Sequence, residues 1–292
     1  MRRFEEYNPI AAAIFFLTVT GTAMFCPHPA ITGLTLFGAV LYFVVRNGTK
    51  HLRSHISFLI LFILLAAINP LISHNGRTVL FVLNDNPITL EALLYGVNSS
   101  AMMIGILYWF RSFTQIMTSD RLLYIFGTLS PKLSLVLSMA LRFVPLFSEQ
   151  SKKVNEAQKA MGMYKEDNAI DNVRGGMRVF SVMVTWGLEN GIITADSMAA
   201  RGYGTGHRTN FTEHRFRGGD IVLLAAELLL FVICVAAIAA KKLEYGFYPD
   251  IEINVRGVVG ALGIAAYGVL VLLPIIIEAE ASIKWKYLKS RI

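Results

Sequence analysis

The chain has 292 residues, 54% hydrophobic and 16% charged, with a formal net charge of +7. An ordinary soluble domain carries about 25% charged residues, so the composition excludes a soluble globular domain and points to a polytopic membrane protein. The basic excess suits the cytoplasmic face of a bilayer.

A spanning helix needs about 20 mostly apolar residues, with about 17 sufficient, because each rises 1.5 Å through a hydrocarbon core about 30 Å thick. The first such stretch is 10 to 26. It has the basic start of a secretion signal, but Ala23-Met24-Phe25-Cys26 is neither a small-residue cleavage site nor a lipoprotein box, which predicts a retained span. Stretches 30 to 46, 56 to 72 and 91 to 110 qualify next. Asn69-Pro70 predicts a kink or helix end beside an outer loop, with Asn69 bonding the freed backbone. His74 stands alone among polar loop residues, without metal-ligand spacing.

The middle region, 111 to 220, is more polar, and 111 to 219 holds 14 Lys or Arg against 9 Asp or Glu. It reads as two long helices. One begins at Pro131, with Leu133, Leu137, Leu141 and Val144 on a stripe that Val154, Ala157 and Met161 continue beyond a kink at Pro145. The other runs from about Asn172, capped by Asp171 or Asn172, with Met177, Phe180, Val184, Leu188, Ile192 and Ala195 on one face. That period predicts a face packed on its neighbour. The linker KEDNAIDN and the juxtamembrane run HRTNFTEHRFRGG read as a solvated connection and as a lipid-headgroup contact. Nucleic acid is a poor partner for so short a run.

Spans 221 to 240 and 256 to 277 complete six. Glu227 is the one formal charge in their interiors; two turns from the inner boundary, it is expected to reach water or a basic neighbour such as Arg142 in a structural role. Cys26 and Cys234 sit in or beside apolar segments and read as packing residues. Three domains follow: 1 to 110 with four spans, 111 to 220 outside the bilayer, and 221 to 292 with two spans and a tail. With the amino end inside, the inner short segments carry nine Lys or Arg and the outer ones four, which predicts cytoplasmic termini. Lys241 and Lys242 run against it.

Both long helices end in a similar phrase, NEAQKAMGMY and ADSMAARGYG, so that Ala160-Met161-Gly162 and Ala200-Arg201-Gly202 correspond. Glycine past a helix end supplies its left-handed terminating residue. An arginine there complements the helix dipole and offers a planar fork that grips a carboxylate. On the pattern alone, a plain helix cap with a solvated arginine is the commoner arrangement.

With NPLISHNGRTVLF, NPITLEAL and SPKLSLVLSMALRFVPLFSEQ added to ADSMAARGYG, nearly the whole chain resembles the CbiQ-like transmembrane T components of energy-coupling factor transporters. The resemblance implies an all-α polytopic membrane protein of the cell membrane, with about six transmembrane helices and two long cytoplasmic coupling helices. It also implies a scaffold without an active site or cofactor, whose helix tips dock on two ABC ATPases while the membrane part holds a substrate-binding S component. Ala200, Arg201 and Gly202 would form one ATPase contact and Ala160, Met161 and Gly162 the other. Methionine replaces the first motif's arginine, which implies packing at that tip and charge pairing at the second.

The chain has no GxxxxGK[ST] loop, so ATP would be hydrolysed by a partner. The alternative is a secondary transporter that uses Glu227 for ion coupling. A membrane prenyltransferase would need acidic metal-binding clusters, for which KEDNAIDN is the nearest match.

Overall fold

Proline opens three of the long helices. In a computed structural model, Pro9, Pro29 and Pro131 occupy first-turn positions, where the missing amide donor costs nothing. Asn8 caps the first, its side chain accepting from Ile10 N at 3.0 Å, and His28 Nδ1 caps the second from Ala30 N at 3.2 Å. The structure describes residues 3–48, 52–73, 76–83, 86–163, 169–205, 216–248, 252–255 and 257–289. His74, the stretch 206 to 215 and the linker residues 165 to 168 lie outside the described residues.

The chain divides into two units, one of Met1–Arg121 with His214–Ile292 and one of Leu122–Glu213. The first holds a 3-10 turn Phe4–Glu6, α1 Pro9–Phe25, α2 Pro29–Asn47, α3 Leu52–Ile72, α4 Leu90–Ile116, α8 Gly218–Ala239 and α9 Gly257–Lys289. All six apolar stretches are therefore helical. Among the described residues, α2, α3, α4, α8 and α9 are long and apolar enough to cross a bilayer, while α1 with 17 residues falls just under that length. The helix Pro131–Ala160 also qualifies, although the sequence places it outside the bilayer; it is the least apolar of the six.

The core of this unit is aromatic. Phe4, Phe15, Tyr42 and Trp109 are fully buried and Phe16 nearly so. Phe4 meets Phe15 edge-on at 5.4 Å, Phe15 meets Trp109 at 5.6 Å, and Tyr42 stacks on Trp109 at 5.6 Å. Thr35 Oγ1 and Tyr267 OH lie 2.6 Å apart, and Tyr267 OH donates to the Val19 carbonyl, which ties α2, α9 and α1 together.

Two antiparallel hairpins depart from a purely helical expectation: β1 Val79–Leu83 with β2 Asn86–Thr89, and β3 Leu243–Gly246 with β4 Glu252–Val255. Both carry short apolar runs around turn-forming Asn, Asp and Pro. Glu91 accepts from Thr78 N at 3.2 Å and Thr78 Oγ1 at 2.6 Å, fixing the first hairpin to α4. Pro70 does not end α3, which continues to Ile72, and Ser73 N still bonds the Asn69 carbonyl at 2.8 Å.

The second unit holds most of α5 Ser119–Leu129, with α6 Pro131–Ala160 and α7 Ala169–Ala200. Helix α7 starts before Asn172, so Asp171 and Asn172 lie in its first turn and do not cap it. The packed faces also differ from the expected stripes. On α7, Gly175, Val179 and Met183 are buried and the Phe147 ring sits against Gly187, with Phe147 and Trp186 edge-on at 5.3 Å. Met177, Phe180, Leu188 and Ile192 are each about two-thirds exposed. On α6, Leu133, Leu141 and Val144 are exposed while Gln158 is buried. The bulky apolar side chains of α7 thus turn outward, which is the pattern of helices whose outer faces meet lipid or a membrane partner.

Candidate functional site

Both tips of the second unit are built alike. At the end of α6, Gly162 N bonds the Lys159 carbonyl at 3.0 Å and Met163 N bonds the Gln158 carbonyl at 3.1 Å. At the end of α7, Gly202 N bonds the Ala199 carbonyl and Tyr203 N the Met198 carbonyl, both at 3.0 Å. Each is a Schellman motif, and it requires the left-handed φ of +67° at Gly162 and +74° at Gly202. Ala160 and Ala200 are the last helical residues, and Met161 and Arg201 take the corresponding cap positions.

The side chains at the two caps are presented outward. Met161 is 63% exposed, and Arg201 is exposed with no ion pair among the described residues. Arg178 Nη2 donates to the Met163 carbonyl at 3.1 Å, which pins the first tip to the flank of α7. Arg201 lies 23 residues further along that helix, about 35 Å at 1.5 Å per residue. The helical hairpin therefore presents an apolar cap at one end and a cationic cap at the other. At both ends the helix dipole adds partial negative charge.

The remaining candidate residues belong to the first unit. Asn69 is half-buried and Pro70 buried on α3. Glu227 on α8 is fully buried, and neither carboxylate oxygen has a hydrogen-bond partner among the described residues. The ionic partner expected for it is absent there. No group of three His, Cys, Asp or Glu side chains able to hold a metal occurs among the described residues.

Sequence reasoning missed a polar cluster around the amino end. Glu5 Oε2 accepts from Arg46 Nη2 of α2 at 2.7 Å, and the Glu5 carbonyl accepts from Arg121. Phe4 N donates to Glu278 Oε2 at 3.3 Å, and Asn8 N to Asp220 Oδ1 at 3.4 Å. Asp220 Oδ2 also accepts from Arg217 N at 2.9 Å, capping α8. The available signal was acids at 5, 6 and 220 near arginines at 46, 121 and 217, all close to span ends.

The family model described as cobalt transport protein (CbiQ) matches residues 5–211. Among curated proteins, the chain is 30% identical over 100 residues to the energy-coupling factor transporter transmembrane protein EcfT 1 of Listeria monocytogenes, covering 34% of this chain and 38% of that one. It is 32% identical over 115 residues to the corresponding EcfT protein of Streptococcus thermophilus, covering 37% and 44%. The matched part thus spans about two fifths of the length of these relatives. With its apolar helices and a family match over most of its length, the chain is a multi-pass membrane protein that belongs to the CbiQ family.

Proposed function

We propose that this protein is the transmembrane T component of an energy-coupling factor importer, linking two cytoplasmic ABC ATPases to a membrane S component that carries a vitamin, metal ion or other micronutrient. The observation that carries this reading is the pair of matching helix caps, Ala160-Met161-Gly162 and Ala200-Arg201-Gly202, at opposite ends of one helical hairpin. Two separated handles suit two ATPase subunits, whose closure would move α6 and α7.

Arg201 would pair with a carboxylate in its ATPase groove, where a bidentate guanidinium contact is strong and directional. Met161 would fill an apolar groove on the other, since its thioether chain adapts to irregular surfaces. The exposed apolar face of α7 would meet the S component, because a contiguous apolar stripe of this length is not stably left in water. ATP hydrolysis belongs to the partners, and both termini are cytoplasmic. Asn69 and Pro70 shape α3 beside Gly96 of α4, with a contact to the S component as their alternative role, and Glu227 takes no part in ion coupling.

The test is Arg201→Glu, with copurification of the ATPases and ATP-driven uptake as readouts. The variant should insert normally and lose both; normal copurification and uptake in it would remove the assignment.

A further inference from the structure

The amino-terminal segment, residues 4 to 8, touches both places where the first unit gives way to the second. The chain leaves the first unit after Arg121 and returns at His214. Arg121 donates to the Glu5 carbonyl. Three residues on from Glu5, Asn8 N donates to Asp220, which also holds Arg217 N at the start of α8. One short segment therefore bonds to the outgoing neck through Arg121 and to the returning neck through Asp220.

The segment itself is firmly seated. Phe4 is fully buried among Phe15, Phe16 and Tyr42, with ring centroids 5.4 to 6.3 Å away. Its amide donates to Glu278 of α9, and the Glu5 carboxylate pairs with Arg46 of α2, whose side chain is 13% exposed. A half-buried, charge-assisted pair of this kind resists exchange with water better than a surface pair. Arg121 is itself half-buried, so loss of its acceptor would leave a guanidinium poorly solvated.

We infer that residues 4 to 8 are a clamp that positions both necks of the coupling unit, with Arg121 and Asp220 as the positioning residues that let motion of α6 and α7 be transmitted and not dissipated by fraying at the necks. This rests on the T-component reading for its consequence, but the geometry of the clamp does not. A lever transmits force only if its base is fixed, and the energy coupling two sites is limited by whichever joint opens most easily.

The experiment uses the full-length protein with whatever ATPases and S component copurify from native membranes. Arg121→Gln replaces the guanidinium by a shorter, uncharged amide that falls short of the Glu5 carbonyl, and Asp220→Asn weakens the second joint. Amide exchange at residues 4 to 8, 117 to 122 and 216 to 220 should speed up at least about tenfold in either variant, as expected when a local opening becomes easier. Uptake per ATP hydrolysed should fall about fivefold or more, the lower range of ordinary coupling between sites, while ATPase copurification stays intact. Arg121→Lys, which keeps a cationic donor, should recover much of the ratio.

Unchanged exchange at both necks in Arg121→Gln overturns the clamp, as does an unchanged ratio of uptake to ATP hydrolysis in a variant whose exchange has risen. If the wild-type protein brings down no ATPase, the transporter reading falls and the exchange measurement alone decides the clamp. Should Arg121→Gln fail to insert, Glu5→Gln, which loosens the Arg46 pair, gives the same two readouts.

Discussion

Gly96 of α4 lies against the Ala66 carbonyl of α3: a Cβ built on Gly96 would come within 2.7 Å of that oxygen. Ala66 is four residues before Pro70, so its carbonyl is the one left without a helical amide partner by the proline. The two helices close over the gap, with Pro70 Cδ and Asn69 Cβ also within 3.4 Å of that Cβ position. Gly96→Ala should destabilise the protein by about 1 to 3 kcal/mol through overpacking against backbone. Gly191→Ala on α7, which meets nothing within 4 Å, should gain about 0.5 to 1 kcal/mol of helix propensity. Thermal unfolding of the two variants in detergent checks the contrast, and equal midpoints would refute the close approach.

Glu227 separates two kinds of transporter. Its side chain is fully buried and its oxygens lack partners among the described residues, so Glu227→Leu, which removes the polar group without stranding another, should leave stability unchanged or improve it by about 1 kcal/mol. ATP-driven uptake should persist. Loss of uptake with ATPases still bound would instead favour ion coupling at this position.

His28 makes the membrane unit sensitive to acid. It is buried, its Nδ1 accepts the Ala30 amide, and burial holds its pKa below the ordinary histidine value. The folded protein therefore prefers neutral His28, while the unfolded chain titrates near 6.5. The stability it contributes is complete above that pH and declines as pH falls below it, levelling off under the depressed folded value. Unfolding midpoints between about pH 5 and 8 should slope downward toward acid in the wild type. In His28→Asn, which keeps a cap acceptor without a titrating ring, this contribution to the slope should vanish; an identical slope would exclude His28 as its source.

The caps predict a graded series. Gly202→Val forces a β-branched residue into a left-handed conformation and should cost about 1 to 2 kcal/mol locally, loosening the Arg201 tip and weakening ATPase copurification. Met161→Arg at the other tip places a second fork in the same cap geometry and should leave assembly intact or tighten it. Copurification at rising salt measures both, since a charge-assisted contact weakens with screening. A Gly202→Val complex as salt-resistant as wild type would count against cap geometry as the recognition element.

Helix positions were legible because hydrophobic length and the first-turn proline at 131 are local signals, and the Met161 and Arg201 caps were legible because Gly162 and Gly202 announce a left-handed turn. Which side of a helix packs was not. Apolar period marks the inner face in water, but here Met177, Phe180 and Leu188 point outward while Gly175 is buried and Gly187 faces Phe147 of α6. The amino-terminal cluster was invisible for a different reason: Glu5 meets Arg46 and Arg121 across 41 and 116 residues, and no local spacing encodes such pairings. The hairpins were passed over because strands of four or five residues between spans are too short to compete with a helical reading.

The outward greasy flank of α7 has a practical corollary for anyone tempted by the many lysines and arginines of the middle region. Cut free as a fragment, that hairpin would not behave as a hydrophilic module: deprived of its natural covering it would self-associate or seek detergent. Its charge disguises a surface that needs company.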